Sequence, residues 1–281
     1  YRAANKTTFD LGGGHKMDVG VFAFWKELDH PITSFVGAIG QENVSYGLHT
    51  QNSGSYKLGG HLNRYRFGTT SHLGTTDAKV WENNNGNAGV LTADAQQNAQ
   101  NVVVYGENSF YINPKLALVS TLQYVWSNRD IFDNFTPTDT DSSIYESWNP
   151  KIGFLYKPMK KVQVFGNISK SFEPPDFADL TQGSTSGFID LKAQQAWTVE
   201  IGTRGEQGPV AWDISLYRAW IRDELLKFTT GGGVPATGFN GEDTIHQGAE
   251  VGLGFRLAKN IMTPGDSLKW WNAYTYSDFF F

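Results

Sequence analysis

Hydrophobic and polar residues alternate regularly across residues 194–228, on both sides of a tight turn at 205–208 that Pro209 closes. Within each half the hydrophobic positions keep one parity, and they are Trp197, Val199, Ile201, Val210, Trp212, Ile214 and Leu216. A period of two places successive side chains on opposite faces of a sheet. The pattern therefore predicts a hairpin of two long strands, with one aromatic and aliphatic face and one polar face.

The same unit repeats along the rest of the chain, which predicts about eleven strands and no helix of any length. Besides the two strands of 194–228, the predicted strands cover residues 16–28, 43–50, 61–68, 98–111, 116–128, 143–156, 161–171, 244–257 and 268–281. The polar segment 69–97, which contains the run Asn83-Asn84-Asn85-Gly86-Asn87, is predicted to be a mobile loop.

The predicted connections alternate between short and long. The short ones are 51–60, 112–115, 157–160, 205–209 and 258–267, and the long ones are 69–97, 129–142, 172–193 and 229–243. Short turns on one rim and long loops on the other are typical of outer-membrane barrels, whose strands alternate between lipid-facing and lumen-facing residues. A soluble sandwich would have shorter strands and less ordered loop lengths. We therefore predict an all-β fold, an antiparallel up-and-down transmembrane β-barrel.

The strand count also suggests that the barrel is incomplete. Eleven is an odd number, whereas bacterial barrels have even numbers of strands. The last predicted strand follows a short turn, so it runs toward the long-loop rim, although a terminal strand is expected to run the other way. We therefore expect residues 1–281 to form one partial barrel domain, with strands missing after Phe281.

Composition and charge narrow the possible functions. The net charge of -5 gives no reason to expect nucleic acid as a partner. Cysteine is absent, which excludes a disulfide scaffold and a thiolate metal site. No run of eighteen apolar residues predicts a transmembrane helix, and residues 1–11 do not resemble a signal peptide. The mean hydropathy of -0.38 does not decide the class, because barrels hide their apolar residues at alternate positions.

The sequence contains no arrangement of residues that indicates catalysis, a metal site or a cofactor. Asp223 and Glu224 are adjacent, so on a strand they point to opposite faces and cannot act as an acid–base pair. His49 and His61 flank one predicted hairpin, and His72 lies beyond it on the loop side. Gathered at a barrel mouth they would suit haem or a divalent metal, but scattered polar histidines are the simpler interpretation.

Five segments of the chain resemble successive strands of TonB-dependent outer-membrane receptors, particularly the ferric-siderophore and ferric-citrate branch. These segments are NISKSFEPPDFADL (167–180), LKAQQAWTVEIGTRG (191–205), WDISLYRAWIRDELL (212–226), HQGAEVGLG (246–254) and AYTYSDFFF (273–281). The resemblance is strongest over residues 145–281. It implies a barrel of about 22 strands with a plugged lumen, embedded in outer-membrane lipid. It also implies import of a ferric chelate, driven by the TonB complex through a plug domain for which this sequence has no counterpart.

Candidate ligand-binding residues follow from the chemistry of anionic iron chelates. Arginine offers forked donors to carboxylates, and aromatic faces stack on flat groups. The candidates in the predicted long loops and at their edges are Arg129, Phe132, Phe135, Lys170, Asp176, Phe177 and Phe239. Pro174 and Pro175 are expected to end strand pairing and stiffen the loop that carries Asp176 and Phe177.

A second set of residues is expected to face the lumen, because charges on the lipid face cost about 2–4 kcal/mol near the midplane. These residues are Glu200, Arg204, Asp213 and Glu250.

The resemblance leaves the cargo open. Haem, cobalamin, another metal or an oligosaccharide are alternatives to a ferric chelate within the same family. A passive porin or an adhesin is the alternative of a different class. An outer-membrane enzyme is disfavoured, since no nucleophile and base are paired in the sequence.

Overall fold

The computed structural model describes residues 1–33, 36–181, 188–229 and 237–281, and these residues are almost entirely β-strand. The strands are β1 (Arg2–Gly12), β2 (His15–Thr33), β3 (Gly37–Leu58), β4 (His61–Asn84), β5 (Asn87–Asn113), β6 (Leu116–Asp133), β7 (Asp141–Met159), β8 (Val162–Glu173), β9 (Gln194–Gln207), β10 (Val210–Arg222), β11 (Leu225–Phe228), β12 (Thr237–Asn240), β13 (Thr244–Lys259) and β14 (Ser267–Phe280). One helical turn, α1 (Phe177–Leu180), and one 3-10 turn, Pro137–Asp139, accompany them.

Twelve of these strands form one antiparallel sheet. Each strand pairs with the next one along the chain, except that β10 pairs with β13, while β11 and β12 form a separate two-stranded hairpin. β1 and β14 lie at the two edges of the sheet. Antiparallel neighbours need only local hairpin connections, so this order follows directly from the succession of turns. The all-β, up-and-down antiparallel arrangement is the one predicted.

One face of the sheet, called the apolar face below, exposes large hydrophobic side chains along its whole width. Examples from successive strands are Val21, Leu48, Phe67, Val104, Leu122, Ile152, Ile168, Ile201, Leu216 and Tyr274. Cross-strand register keeps them together, since Ile152 lies opposite Ile168 and Leu216 lies opposite Ile201. So large an exposed apolar surface is stable only against an apolar medium or a partner. The opposite face, called the polar face, carries the charged and hydroxyl side chains.

Several strands are longer than the sequence predicts. The prediction of a mobile loop at 69–97 is wrong, because β4 and β5 pair through this region and turn at Asn85 and Gly86. The predicted connection at 51–60 is likewise wrong, because β3 continues to Leu58. β6 extends to Asp133, so the predicted loop at 129–142 begins later than expected.

The upper part of the β4–β5 hairpin, residues 74–99, is mostly polar on both faces, apart from Val80, Trp81, Val90 and Leu91, and is called the hairpin extension below. On the apolar-face side of β4, the continuous run of hydrophobic and hydroxyl residues ends at Thr75, just after Leu73, which is eight residues after Tyr65, and the next hydrophobic residue on that side is Trp81. Above Leu73 the same side carries cross-strand polar pairs, namely Thr75 Oγ1 to Asn98 Oδ1 at 2.7 Å, Gln96 Nε2 to Asp77 Oδ1 at 3.1 Å, and Lys79 Nζ to Asp94 Oδ2 at 3.7 Å. A tilted strand crosses a bilayer in about 9–11 residues, so the extension lies beyond one hydrocarbon thickness.

The connections fall on two rims. One rim, called the turn rim, carries the connections 13–14, 59–60, 114–115, 160–161, 208–209 and 260–266. The other, called the loop rim, carries 34–36, 85–86, 134–140, 174–193 and 223–243. On the turn rim, five connections have two residues each and 260–266 has seven. The loop rim is mixed, because the β4–β5 connection at 85–86 has only two residues.

The sheet has twelve strands, one more than the number of about eleven predicted, because β1 pairs with β2 from Arg2 to Gly12. β1 has a weak pattern, in which Ala3, Asn5 and Thr7 occupy the apolar-face positions before Phe9. In the described ranges, no helix has both the length and the apolar character needed to cross a membrane.

Candidate functional site at the loop rim

The loop-rim connection 174–193 folds over the polar face, and it is called the inward loop below; the structure describes its residues 174–181 and 188–193. Pro174 and Pro175 come directly after β8, where they remove the N–H groups that strand pairing would need. Pro175 is among the most deeply buried side chains, and Leu180 at the end of α1 is fully buried. The loop therefore packs against the sheet instead of projecting away from it.

The turn α1 owes its shape to a capping box. The Asp176 carboxylate accepts a hydrogen bond from the backbone N–H of Asp179 at 2.9 Å, and the Asp179 carboxylate accepts one from the N–H of Asp176 at 3.1 Å. This reciprocal pair satisfies two N–H groups that a helix start leaves free. Asp176, a predicted ligand-binding residue, thus uses one carboxylate oxygen to shape the loop.

Arg129, another predicted ligand-binding residue, is only 7% exposed and holds the inward loop onto β6. Its Nε donates to the carbonyl oxygen of Pro175 at 3.1 Å. Its two terminal nitrogens donate to the Asn128 carbonyl at 2.9 Å and to Asn101 Oδ1 at 3.1 Å. The guanidinium fork suits such a spread of acceptors. In this arrangement Arg129 stabilises the loop, and three of its five N–H donors are already in use.

Lys170 occupies a gap between β7 and β8. The two strands pair only as far as Lys151 and Ser169, next to Pro150, which has no N–H to donate. Above this point the Lys170 ammonium donates to Ser147 Oγ at 3.0 Å. The side chain thereby bridges strands that have stopped exchanging backbone hydrogen bonds, and it lies beside the pocket that contains Asn149 and Tyr105.

The second long connection, 223–243, is fastened to the inward loop through Asn240. Its Nδ2 donates to the carbonyl oxygens of Lys192 and Asp223, both at 2.9 Å, and its Oδ1 accepts from the Lys192 N–H at 2.8 Å. Lys227 Nζ lies 3.1 Å from Asp179 Oδ1, which ties β11 to α1. The two connections therefore form a single packed body over the polar face.

A polar group lies where β10 and β13 meet this body. Glu224 accepts a hydrogen bond from Thr244 Oγ1 at 2.7 Å, and its other oxygen lies 3.4 Å from His246 Nε2. The His246 ring stacks on Phe279 with ring centroids 4.0 Å apart. This group presents a carboxylate, an imidazole and an aromatic ring side by side, a combination suited to hydrogen bonding and stacking.

The predicted aromatic candidates do not gather at one point. Phe177 lies on α1, with its ring centroid 6.2 Å from that of Phe188. Phe239 lies on β12 and Phe135 in the connection after β6, and both are exposed. Phe132 lies on the apolar face of β6, since it is separated from Arg129 by three positions along the strand. Arg129 and Asp176 thus both stabilise the inward loop, whereas Phe132 lies on the opposite face of the sheet.

The residues predicted to face the lumen all lie on the polar face of β9, β10 and β13. Arg204 lies opposite Asp213, while Glu250 lies opposite Ser215. Glu200 accepts a hydrogen bond from Asn167 Nδ2 at 3.0 Å. Arg204 also places its guanidinium 4.8 Å from the Phe165 ring centroid.

The three histidines singled out in the sequence have different partners. His49 contacts Thr70 Oγ1 at 3.0 Å, His61 contacts the Tyr111 carbonyl at 3.1 Å, and His72 packs edge-on against Phe22. Within the described ranges, no group of three or more His, Cys, Asp or Glu side chains is placed to hold a metal ion.

Sequence reasoning missed the residues that hold the loop rim together, chiefly Asn101, Ser147, Lys192 and Asn240. Asn101 and Ser147 have the parity of the polar face, so alternation alone would have placed them there. Nothing local indicates their partners, because Asn101 and Arg129 are 28 positions apart and Lys192 and Asn240 are 48 apart.

One known protein family matches nearly the whole chain. The β-barrel of the family described as TonB dependent receptor-like matches residues 3–281. A search of curated protein sequences finds no match to this chain.

Solved structures share the fold at low sequence identity. The ferric citrate transporter FecA, in its unliganded form, superposes with a TM-score of 0.79 at 15% identity, over 99% of this chain and 42% of that one. The FrpB iron transporter from Neisseria meningitidis, F5-1 variant, gives 0.72 at 16%, over 99% and 44%. The ferric-catecholate import receptor Fiu from K12 E. coli gives 0.69 at 15%, over 98% and 47%. The chain thus spans less than half the length of each of these structures.

Proposed function

Because the chain belongs to the TonB-dependent receptor β-barrel family, we propose that it forms the wall of an outer-membrane receptor that binds a ferric chelate at its loop rim for TonB-coupled import. The resemblance predicted from the sequence and the predicted barrel fold are both confirmed by this membership. Members of the family are transporters and receptors rather than enzymes, and their barrels lie in the outer membrane.

The observation that carries the proposal is the contrast between the two faces of one sheet. The apolar face exposes Phe67, Leu122, Ile201 and Leu216, as a wall against hydrocarbon requires. The polar face carries, at the loop rim, a packed body made of the described residues of two connections. A receptor needs a shaped surface above its lumen, and this body supplies one.

The cargo class rests on the charges and rings that remain accessible on this body. Lys192 forms a 3.4 Å ion pair with Asp223 but its side chain is 77% exposed, so a ligand carboxylate can compete for it. Phe239 and Phe135 are exposed at the same rim and offer faces for stacking. Arg129 and Lys170 act behind them, by holding the surface in shape. Iron transport by structurally similar proteins supports a ferric chelate over other cargoes.

Uptake measurements on the full-length receptor test this proposal. The receptor is expressed in a strain that lacks its own ferric-chelate receptors, and radioactive iron is supplied as citrate, catecholate or hydroxamate complexes. We expect one of these to be imported, and import to stop when TonB is deleted. Import of haem, cobalamin, copper or an oligosaccharide instead would contradict a ferric chelate as the cargo. Import that persists without TonB would contradict coupling to TonB.

Ring removal then tests the surface itself. Phe239→Ala is expected to weaken binding of the imported chelate by about two- to tenfold, the range of one aromatic contact worth 0.5–1.5 kcal/mol. Phe154→Ala is the matched control, because Phe154 lies on the apolar face. If the wild type and Phe239→Ala bind the chelate with equal affinity, the Phe239 ring is not part of the binding surface.

A further inference from the structure

The apolar face of β10 changes character toward the loop rim. Its side chains run from Leu216, which is apolar, to Arg218, Trp220 and Arg222. Trp220 lies directly opposite Trp197 of β9, and these rings are 43% and 45% exposed. Tryptophan pairs at such a boundary are typical of the level where hydrocarbon meets headgroups.

Arg218 sits below the tryptophan pair, among uncharged neighbours. It lies opposite Val199 on one side and Gln247 on the other. Its guanidinium carbon lies 5.3 Å from the Trp220 ring centroid, so the side chain is turned up toward the loop rim. This is the geometry of a long cationic side chain that keeps its stem on apolar surface and its charge at the interface.

Neither arginine has a strong protein partner. Among the described residues, Arg218 forms no ion pair within 4 Å, and Arg222 has one 3.7 Å contact with Asp243 in which both side chains are more than 70% exposed. An exposed pair of this kind contributes little. Two cations thus lie at the edge of an apolar face, Arg218 beside the Trp220 ring and Arg222 opposite Gln195, with their charge available to an outside anion.

β8 also places a cation at this transition, since Lys170 lies opposite Trp197, but its ammonium is already bound to Ser147 Oγ at 3.0 Å. Where the apolar residues of β2, β3 and β4 end, the next charged side chains on that face are Glu27, Glu42 and Asp77. Arginine on β10 is therefore a local feature rather than a general property of the rim.

We propose that Arg218 and Arg222, with Trp197 and Trp220, bind the phosphate group of an anionic membrane lipid on the outside of the sheet. The proposal rests on the proposed function, because it requires the apolar face to lie in a bilayer. Forked N–H donors match phosphate oxygens, and the apolar surface below, at Leu216, accepts the acyl chains of the same lipid. The partner is thus an amphiphile rather than a free ion.

Lipid retention by the full-length receptor provides the test. The receptor is exchanged into detergent with phosphatidylglycerol or phosphatidylcholine of identical acyl chains, and retained lipids are counted by native mass spectrometry. The variant R218Q/R222Q is expected to retain at least fivefold less phosphatidylglycerol, with phosphatidylcholine unchanged. R64Q is the matched control, since Arg64 lies 5.3 Å from the Tyr111 ring centroid, but on the polar face.

Three results would overturn the lipid site. Phosphatidylglycerol retention could be unchanged in R218Q/R222Q, or it could fall equally in R64Q. Inorganic phosphate could also displace phosphatidylglycerol from the wild type at equal concentration, which would make the site one for a free anion. Insertion of the wild type into liposomes, followed by its heat-modifiable migration on gels, is measured in parallel. A wild type that fails to insert contradicts the proposed function, whereas one that inserts without lipid selectivity contradicts only this site.

Discussion

Two polar segments of similar composition fold in opposite ways. Residues 69–97 and 172–193 both lack hydrophobic alternation, and both are predicted to be loops. The first is a regular antiparallel ladder that rises beyond the apolar face. The second leaves the sheet and folds over the polar face as the inward loop. Polarity alone therefore does not distinguish a strand from a loop in this molecule.

The difference lies in two dipeptides. Asn85 and Gly86 have φ of 53° and 92°, the left-handed values that a two-residue hairpin turn requires. Pro174 and Pro175 instead remove two consecutive N–H groups at the end of β8. Alternation predicts what a strand faces, whereas turn and proline chemistry predicts whether the strand continues.

The largest expected effect is a difference in unfolding free energy between substitutions in two parts of the β4–β5 hairpin, the part that belongs to the apolar face and the hairpin extension. Phe67→Lys places a charge on the apolar face, where Phe67 is 54% exposed, and should cost about 2–4 kcal/mol. Val90→Lys, in the extension, should cost less than about 0.5 kcal/mol although Val90 is 66% exposed. Urea unfolding of the full-length receptor from liposomes measures both, and equal costs would remove the distinction.

The next effect tests how the inward loop is held. Arg129→Met removes three charge-assisted hydrogen bonds, including the one to the Pro175 carbonyl. Hydrogen bonds to charged groups contribute about 1.5–3 kcal/mol, so amide exchange in residues 176–181 should become about tenfold faster or more. Thr75→Val, which removes one side-chain bond from the backbone-paired extension, should change exchange there far less. Unaltered exchange in Arg129→Met would show that apolar packing alone holds the loop.

A smaller effect tests the turn that ends the extension. Gly86→Val puts a β-branched residue at φ of 92° and should destabilise the hairpin tip by about 1–3 kcal/mol. Gly86→Asn should be tolerated, since asparagine adopts left-handed conformations readily. Exchange of amides in residues 80–93 reports the difference. Equal exchange in the two variants would mean that the turn does not determine the pairing.

The smallest effect concerns a third kind of connection, the turn 260–266, which a carboxylate organises. The N–H groups of Met262, Thr263 and Ile261 donate to Asp266 and hold the pKa of its carboxyl below the usual value. A depressed pKa means that the stabilisation is present above the unfolded value of about 3.9 and is lost as the pH falls through the folded one. The protection factors of these three amides, which correct exchange for its intrinsic pH dependence, should therefore fall only in acid. Asp266→Asn should have lower protection factors at neutral pH, and wild-type protection factors that do not change with pH would contradict this account.

Much of the twelve-stranded sheet is predictable from the sequence. The alternation in 194–216 correctly assigned the apolar and polar faces, because each side chain there meets one medium. β1 was missed because Asn5 and Thr7 interrupt its apolar parity. The hairpin extension is not predicted, although Asn85 and Gly86 favour a two-residue turn. The reason is that an Asn-rich run is also typical of a flexible loop.

The loop rim was predictable only in part. Pro174 and Pro175 correctly indicated the end of β8. The role of Arg129 as a support for the loop depends on a carbonyl 46 positions away, and no local pattern encodes such a contact. Likewise the gap that Lys170 bridges depends on Pro150 lying on the neighbouring strand.

The central claim is that one face of the sheet meets hydrocarbon up to Leu73 of β4 and that the strand then continues in water. Spin labels placed singly at residues 63–81 of the full-length receptor in liposomes test it most directly. We expect accessibility to oxygen to alternate with a period of two from Tyr65 to Leu73, and the alternation to disappear above Thr75. Alternation that continues to Trp81, or its absence around Phe67, would contradict the account.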